Sequence, residues 1–257
     1  MSDSLGFALA IVFAQIAPAA IYLFAAYWAF SIRHSLVGRV YRNHALWLGV
    51  LCVLVAVQRV GNNSIDPTLN AIGGFTLLIL FPVVFAFIDT TVRVARRSDP
   101  LLRSILHWES VRFLLWADLA ALEAVIILTI VSPSFGNSDL GNILWTVLVF
   151  PVFIVGGSAL LIGATRSGDP VLRRSLKWIG VVLFVAVLNM LVTSIIINLP
   201  NISPADFYYS YPALPDGAVS IVGAYAFYRS ARSLAPINRL QAAEPETMPI
   251  PSTAEVL

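Results

Sequence analysis

The chain has 257 residues, 58% of them hydrophobic and only 12% charged. A soluble domain carries about 25% charged residues, so this composition points to a polytopic membrane protein. The net charge of +2 gives no reason to expect a nucleic-acid partner, and the single cysteine, Cys52, excludes a disulfide framework or a thiolate metal site.

A membrane-spanning helix needs about 20 mostly apolar residues. Seven segments meet or approach this: 5–32, 45–60, 71–91, 111–131, 142–164, 176–199 and 211–228. The start, Met1-Ser2-Asp3-Ser4, lacks the basic residues of a signal peptide, so the first apolar run is read as a retained helix. Pro18, Pro82 and Pro151 predict kinks in the first, third and fifth spans. Gly73-Gly74 and Gly156-Gly157 predict close helix approach. Pro212, Pro215, Asp216 and Gly217 crowd the start of the seventh span. Proline suits a first helical turn, where its missing N–H is not needed, and the helix is expected to run on past Tyr228. The tail 235–257, rich in Pro, Ala and Glu, cannot bury a core and is expected to be disordered and cytoplasmic.

Orientation follows from the cations. Of the sixteen Lys and Arg residues, Arg59 alone falls between or beside segments on one side; the other fifteen fall on the opposite side, Lys177 being the sole lysine. The expected fold is all-α: a seven-helix transmembrane domain over 1–234, with the N-terminus outside and the C-terminus cytoplasmic. It divides into hairpins 5–60, 71–131 and 142–199 plus a helix 211–234, and places the protein in the cell membrane as a multi-pass chain.

The hairpin division rests on an internal repeat. Asp99-Pro100-Leu101-Leu102-Arg103-Ser104-Ile105-Leu106-His107-Trp108 recurs as Asp169-Pro170-Val171-Leu172-Arg173-Arg174-Ser175-Leu176-Lys177-Trp178, with six of ten positions identical. Each copy follows a Phe-Pro-Val, at 81–83 and at 150–152. Asp-Pro ends one helix and starts the next. The following arginine is expected at headgroup level, and the tryptophan as an interfacial anchor. Arg103, Trp108, Arg173, Trp178, Arg229 and Arg232 are therefore candidates for a cytoplasmic interface with a protein partner.

Ionisable residues within a span are costly and are functional candidates by default. Asp118 and Glu123 fall in the fourth span, about 140° apart around a helix, so they share no face. Gln15, Gln58, Arg59, Glu123, Asn189, Thr193 and Asp216 all fall in the outer half and form a candidate ligand-binding cavity, with Arg59 as counter-ion to Glu123 or Asp216. The other reading is a set of interhelical hydrogen bonds that fasten the bundle. Asp118 is expected to pair with Arg112 or a neighbouring cation, and Asp89 with Arg93, one turn away. His34, His44 and His107 fall in polar connecting segments, so a haem between buried histidines is not expected. Asn62 and Asn201 begin glycosylation-type triplets on the outer side.

No metalloprotease, P-loop or nucleophile-elbow motif occurs, and the last span has no lysine for a retinal Schiff base. No catalytic activity, metal or cofactor is expected. The segment from Gly223-Ala224-Tyr225-Ala226-Phe227-Tyr228-Arg229 to Leu234, with the Asp-Pro turn at 169, resembles the multi-helix membrane sensor regions of microbial signalling proteins, over roughly 165–240. The resemblance implies a receptor-like or sensor-like protein. With only the short tail following, any signal would pass to a separate cytoplasmic or intramembrane partner. A small transporter or proton-coupled carrier, with Glu123 and Asp118 as relay groups, and an accessory subunit of a larger membrane complex are the alternatives.

Overall fold

A computed structural model describes residues 3–36, 39–61, 67–98, 108–136, 138–166, 170–197 and 213–235. Among these residues the protein is all-helical. The first helix is composite: α1 (Asp3–Ala10), a π-helical segment (Ile11–Ile16) and α2 (Ala17–Arg33) run on without a break. The widening has a local cause. Pro18 cannot donate, and its ring would crowd the carbonyl four residues back. The N–H of Ala17 reaches the Val12 carbonyl instead, a five-residue step.

The remaining helices are α3 (Arg39–Gly61), α4 (Pro67–Ser98), α5 (Trp108–Val131), the single turn α6 (Pro133–Gly136), α7 (Asp139–Arg166), α8 (Pro170–Ile197) and α9 (Leu214–Ser233). Six helices, counting the composite first one and α3, α4, α5, α7 and α8, are long and apolar enough to cross a membrane. Pro82 and Pro151 stand inside α4 and α7, which continue through them. Helix α9 has 20 residues and Pro215 in its first turn. Asp216 and the arginines of its final turns lower its hydropathy, so its part in the fold shows in its packing.

That packing forms a ring. Helix α2 packs on α3, α3 on α4, α4 on α7, α7 on α8, α8 on α9, and α9 returns to α2. Helix α5 stands outside, against α4 and α7. Glycines set the closest approaches. A Cβ on Gly156 would meet Ile88 of α4, and one on Gly157 would meet Leu183 and Phe184 of α8, as the small pair at 156–157 predicts.

Two sequence expectations fail here for a shared reason. His44 lies inside α3, 5% exposed, and its Nε2 is 2.8 Å from Ser175 Oγ on α8. Ser175 Oγ is in turn 2.7 Å from Ser230 Oγ on α9. The Arg42-Asn43-His44 triplet reads as a connector because it is polar, but α3 begins at Arg39 and turns this histidine inward. Likewise Trp108 is no interfacial anchor: it is fully buried and donates from Nε1 to Asp89 Oδ1 at 2.9 Å. Arg93 and Arg112 join the same carboxylate at 3.6 and 3.2 Å. The Arg93 pair agrees with the one-turn spacing. Arg112 does not pair with Asp118, because six residues place the two about 120° apart around the helix and nearly two turns apart along it; it bonds Glu109 and forms an ion pair with Asp89.

Candidate functional site

A cavity of about 320 Å³ lies inside the ring, lined from α2, α3, α4, α7, α8 and α9. Most of its wall is apolar. Phe81 stands edge-on to Trp145 and Phe153, with centroids 5.8 and 6.1 Å away, the arrangement that aromatic quadrupoles favour.

The polar end is built by three helices. Arg59, in the last turn of α3, reaches Asp216 in the first turn of α9: Nη1 is 2.6 Å from Oδ2 and Nη2 is 3.4 Å from Oδ1. Nη2 also donates to Ser220, one turn further along α9. Asn189 of α8 donates from Nδ2 to Asp216 Oδ1. The side chain of Asp216 is 4% exposed and that of Arg59 17%. A buried charge persists only when paired and hydrogen-bonded, and this cluster meets both conditions. Asp216 also suits its position, since a carboxylate is favoured in a helix's first turn.

The neighbouring residue explains how α9 comes so near. Gly217 lies against the π-helical segment. A Cβ there would stand 2.6 Å from the Phe13 carbonyl oxygen and 2.9 Å from Ala14 Cα. Only glycine admits this approach. Further along α9, Gly223 faces the buried Tyr22 of the same first helix, whose hydroxyl would be 3.1 Å from an added Cβ. The Asp216-Gly217 step therefore delivers the carboxylate to Arg59 and seats α9 on the first helix at once.

Of the residues picked from sequence, Gln58, Arg59, Asn189 and Asp216 line this cavity. Gln15 stands in the π-helical segment, half-buried, and its Nε2 has no hydrogen-bond partner. Thr193 is in α8, its side chain outside the described residues. Glu123 is on α5 and is not among the lining residues. Two turns of helix relate it to Trp116, which stacks edge-on against Phe85 of α4 at 4.5 Å. Glu123 thus faces α4 from outside the ring, and Arg59 pairs with Asp216. Glu123 Oε1 and Asp118 Oδ2 are buried without hydrogen-bond partners.

Sequence reasoning missed Ser220 and the aromatic wall. Nothing marks Ser220 beyond its one-turn spacing from Asp216. Phe81 and Trp145 belong to hydrophobic runs in which every residue type looks alike. Among the interface candidates, Arg173, Arg229 and Arg232 are exposed, Trp178 is half-buried and Trp108 is buried. Arg229 stacks over the Trp178 ring at 5.4 Å. Arg103, Asn62, Asn201 and the tail from 236 lie outside the described residues. Among the described residues no group of His, Cys, Asp and Glu could hold a metal ion. Neither a family model, nor a curated protein, nor a solved structure matches this chain.

Proposed function

We propose that the chain is a receptor-like or sensor-like integral membrane protein that binds a small molecule in the cavity of its helical ring and performs no chemistry on it. In this reading α9 is a seventh span beside the six long apolar helices, Arg59 and the cavity's polar end belong to the outer half, and the arginine-rich ends belong to the cytoplasm. The observation that carries this reading is the placement of the cavity. Its polar end joins α3, α8 and α9, and α9 closes the ring on the first helix. A molecule seated there touches the helix that leads into the C-terminal segment, so occupancy is read at the other end of α9 through Arg229 and Arg232. Asp118 and Glu123, the relay groups a proton-coupled carrier would use, stand on α5 outside the ring, which favours a receptor over a carrier.

The test begins with native mass spectrometry of protein purified in mild detergent. Wild type is expected to retain a small-molecule mass that Ala186→Phe, which fills the cavity wall, loses. Proteoliposomes carrying the protein are expected to show no proton uptake. Proton uptake abolished by Glu123→Gln would overturn the receptor reading in favour of a carrier.

A further inference from the structure

The ends of α8 and α9 remote from the Arg59–Asp216 pair carry a surplus of positive charge. Residues 165–180 hold four cations and one acid, Asp169, and residues 217–240 hold three cations and no acid. The fold brings the two stretches together. Ser175 Oγ and Ser230 Oγ meet at 2.7 Å, and the Arg229 guanidinium lies over the Trp178 ring at 5.4 Å. These contacts mark a seam where the start of α8 runs alongside the end of α9. Arg174 stands one turn before Trp178, with Lys177 beside it, and Arg232 stands one turn beyond Arg229. All four cationic side chains are exposed. Among the described residues none of them pairs with an acidic side chain; the ion pairs are made by Arg59, Arg93 and Arg112.

Two features suit this seam to an anion. Arg229 is held in place: its Nη1 donates to the Tyr225 hydroxyl at 3.0 Å while its face rests on Trp178. The remaining guanidinium N–H groups are left to bind an acceptor. The first turn of α8 carries no acidic residue, so Arg174 and Lys177 stand near the positive end of their own helix dipole, where cations are unfavourable and an anion is favoured.

Depth identifies the anion. The apolar span of α8 runs over Arg173–Val192, so Arg174 and Lys177 occupy its first turns, where hydrocarbon gives way to headgroups. The Ser175–Ser230 contact sets Arg229 at the same level. Trp178 and Tyr225 supply the aromatic surface that favours this boundary. Deeper in the span, Leu188 lies on the face of Lys177, three turns on, and Val222 on the face of Arg229, two turns back. Both are exposed, and they continue the seam as an apolar track.

We infer that the seam between α8 and α9 binds an anionic phospholipid, its headgroup held by Arg174, Lys177, Arg229 and Arg232 and an acyl chain lying along Val222 and Leu188. Basic pockets between membrane helices recognise anionic headgroups in this way. A zwitterionic phospholipid has the same phosphate but adds an ammonium group that the four cations repel. The site is independent of the cavity and of any ligand there.

The test is native mass spectrometry of the full-length protein in mild neutral detergent, supplied with equimolar phosphatidylglycerol and phosphatidylcholine of identical chains. Wild type is expected to retain phosphatidylglycerol over phosphatidylcholine by about tenfold or more, and Arg174→Gln/Arg229→Gln to cut that preference by about fivefold or more, from the worth of each cation at a membrane surface. Arg39→Gln/Arg42→Gln is the control. It removes two exposed cations from the start of α3, across the ring, and should leave the preference unchanged. Inorganic phosphate in large excess over lipid is expected to leave phosphatidylglycerol bound. Equal retention of the two lipids by wild type would overturn the proposal and leave the seam to an acidic protein partner. An equal loss of preference in the two double variants, or none in the seam variant, would reduce it to unspecific surface charge. Displacement of the lipid by inorganic phosphate would mean a site for a soluble anion instead. The wild-type ratio and the phosphate competition use unaltered protein, so a seam variant that fails to fold does not shield the proposal.

Discussion

Arg59 and Asp216, 157 positions apart in the chain, meet at 2.6 Å and tie the end of α3 to the start of α9. The pair is nearly enclosed and shares its hydrogen bonds with Ser220 and Asn189. Removing one partner leaves a buried charge, which typically costs about 3–5 kcal/mol. Asp216→Ala and Arg59→Ala are each expected to lower unfolding stability in detergent by about that amount. The double variant Arg59→Met/Asp216→Leu is expected to recover most of the loss. A double variant as unstable as the sum of the singles would mean that the pair stabilises far more than its own desolvation cost.

The seat of α9 makes a sharper comparison among glycines. Gly217→Ala drives a methyl into the backbone of the π-helical segment at 2.6 Å. The backbone cannot give way, so a loss of about 1–3 kcal/mol is expected. Gly223→Ala meets only the Tyr22 hydroxyl at 3.1 Å, the end of a side chain that can shift, and should cost less. Gly74→Ala meets Ile130 at 3.9 Å, ordinary contact, and should be neutral or stabilising by up to about 1 kcal/mol through the unfolded chain. Thermal unfolding midpoints of the three variants should fall in that order, with Gly217→Ala lowest.

The chain His44, Ser175, Ser230 joins α3, α8 and α9 at the end of the ring opposite the cavity's polar cluster. Ser175 is the middle member, so Ser175→Ala takes the hydroxyl partner from both neighbours, but Ser230 keeps its donation to the Ser175 carbonyl and only His44 is stranded. Its cost is expected within the roughly 1–3 kcal/mol range for one stranded buried polar group. Ser233→Ala serves as the control. Its hydroxyl is buried too, but it donates to the Ser230 carbonyl one turn back, so its loss strands no donor and should cost about 1 kcal/mol or less.

The repeated turn contains two tryptophans that do different work. Trp108→Phe removes the buried Nε1 donor from Asp89 and is expected to destabilise by about 1–3 kcal/mol. Trp178→Phe keeps an aromatic face beneath Arg229 and is expected to cost about 1 kcal/mol or less. Equal losses at the two sites would mean that the copies are structurally equivalent after all.

What could be read from the sequence divides along a physical line. The six long apolar helices are legible because crossing a bilayer is a demand each segment meets alone, in its own length and hydropathy. Helix α9 is legible only through Pro215 in its first turn and through the charge distribution, because Asp216 and its arginines dilute its hydropathy. The cavity is a property of the ring order, which no single segment encodes. Sequence proposes both Glu123 and Asp216 as partners of Arg59, and the choice depends on α5 standing outside the ring. His44 and Trp108 are hidden for the opposite reason. Each looks like a surface residue by type and neighbours, and each is drawn inward by a partner far along the chain or in another helix: Ser175, 131 positions away, and Asp89, 19 positions away.

The reach of the Arg59–Asp216 pair also bears on how the molecule is made. At roughly 5–20 residues per second, a ribosome adding the 157 intervening positions takes about 8–30 s to supply the aspartate after the arginine. Throughout that interval α3 must carry a guanidinium without its permanent counter-ion. Arg59 stands two residues from the end of α3, where a long side chain can keep its charged head at the water boundary. The nascent chain can therefore hold this arginine at the surface and draw it inward only when α9 arrives, which makes closure of the ring a late event in biosynthesis.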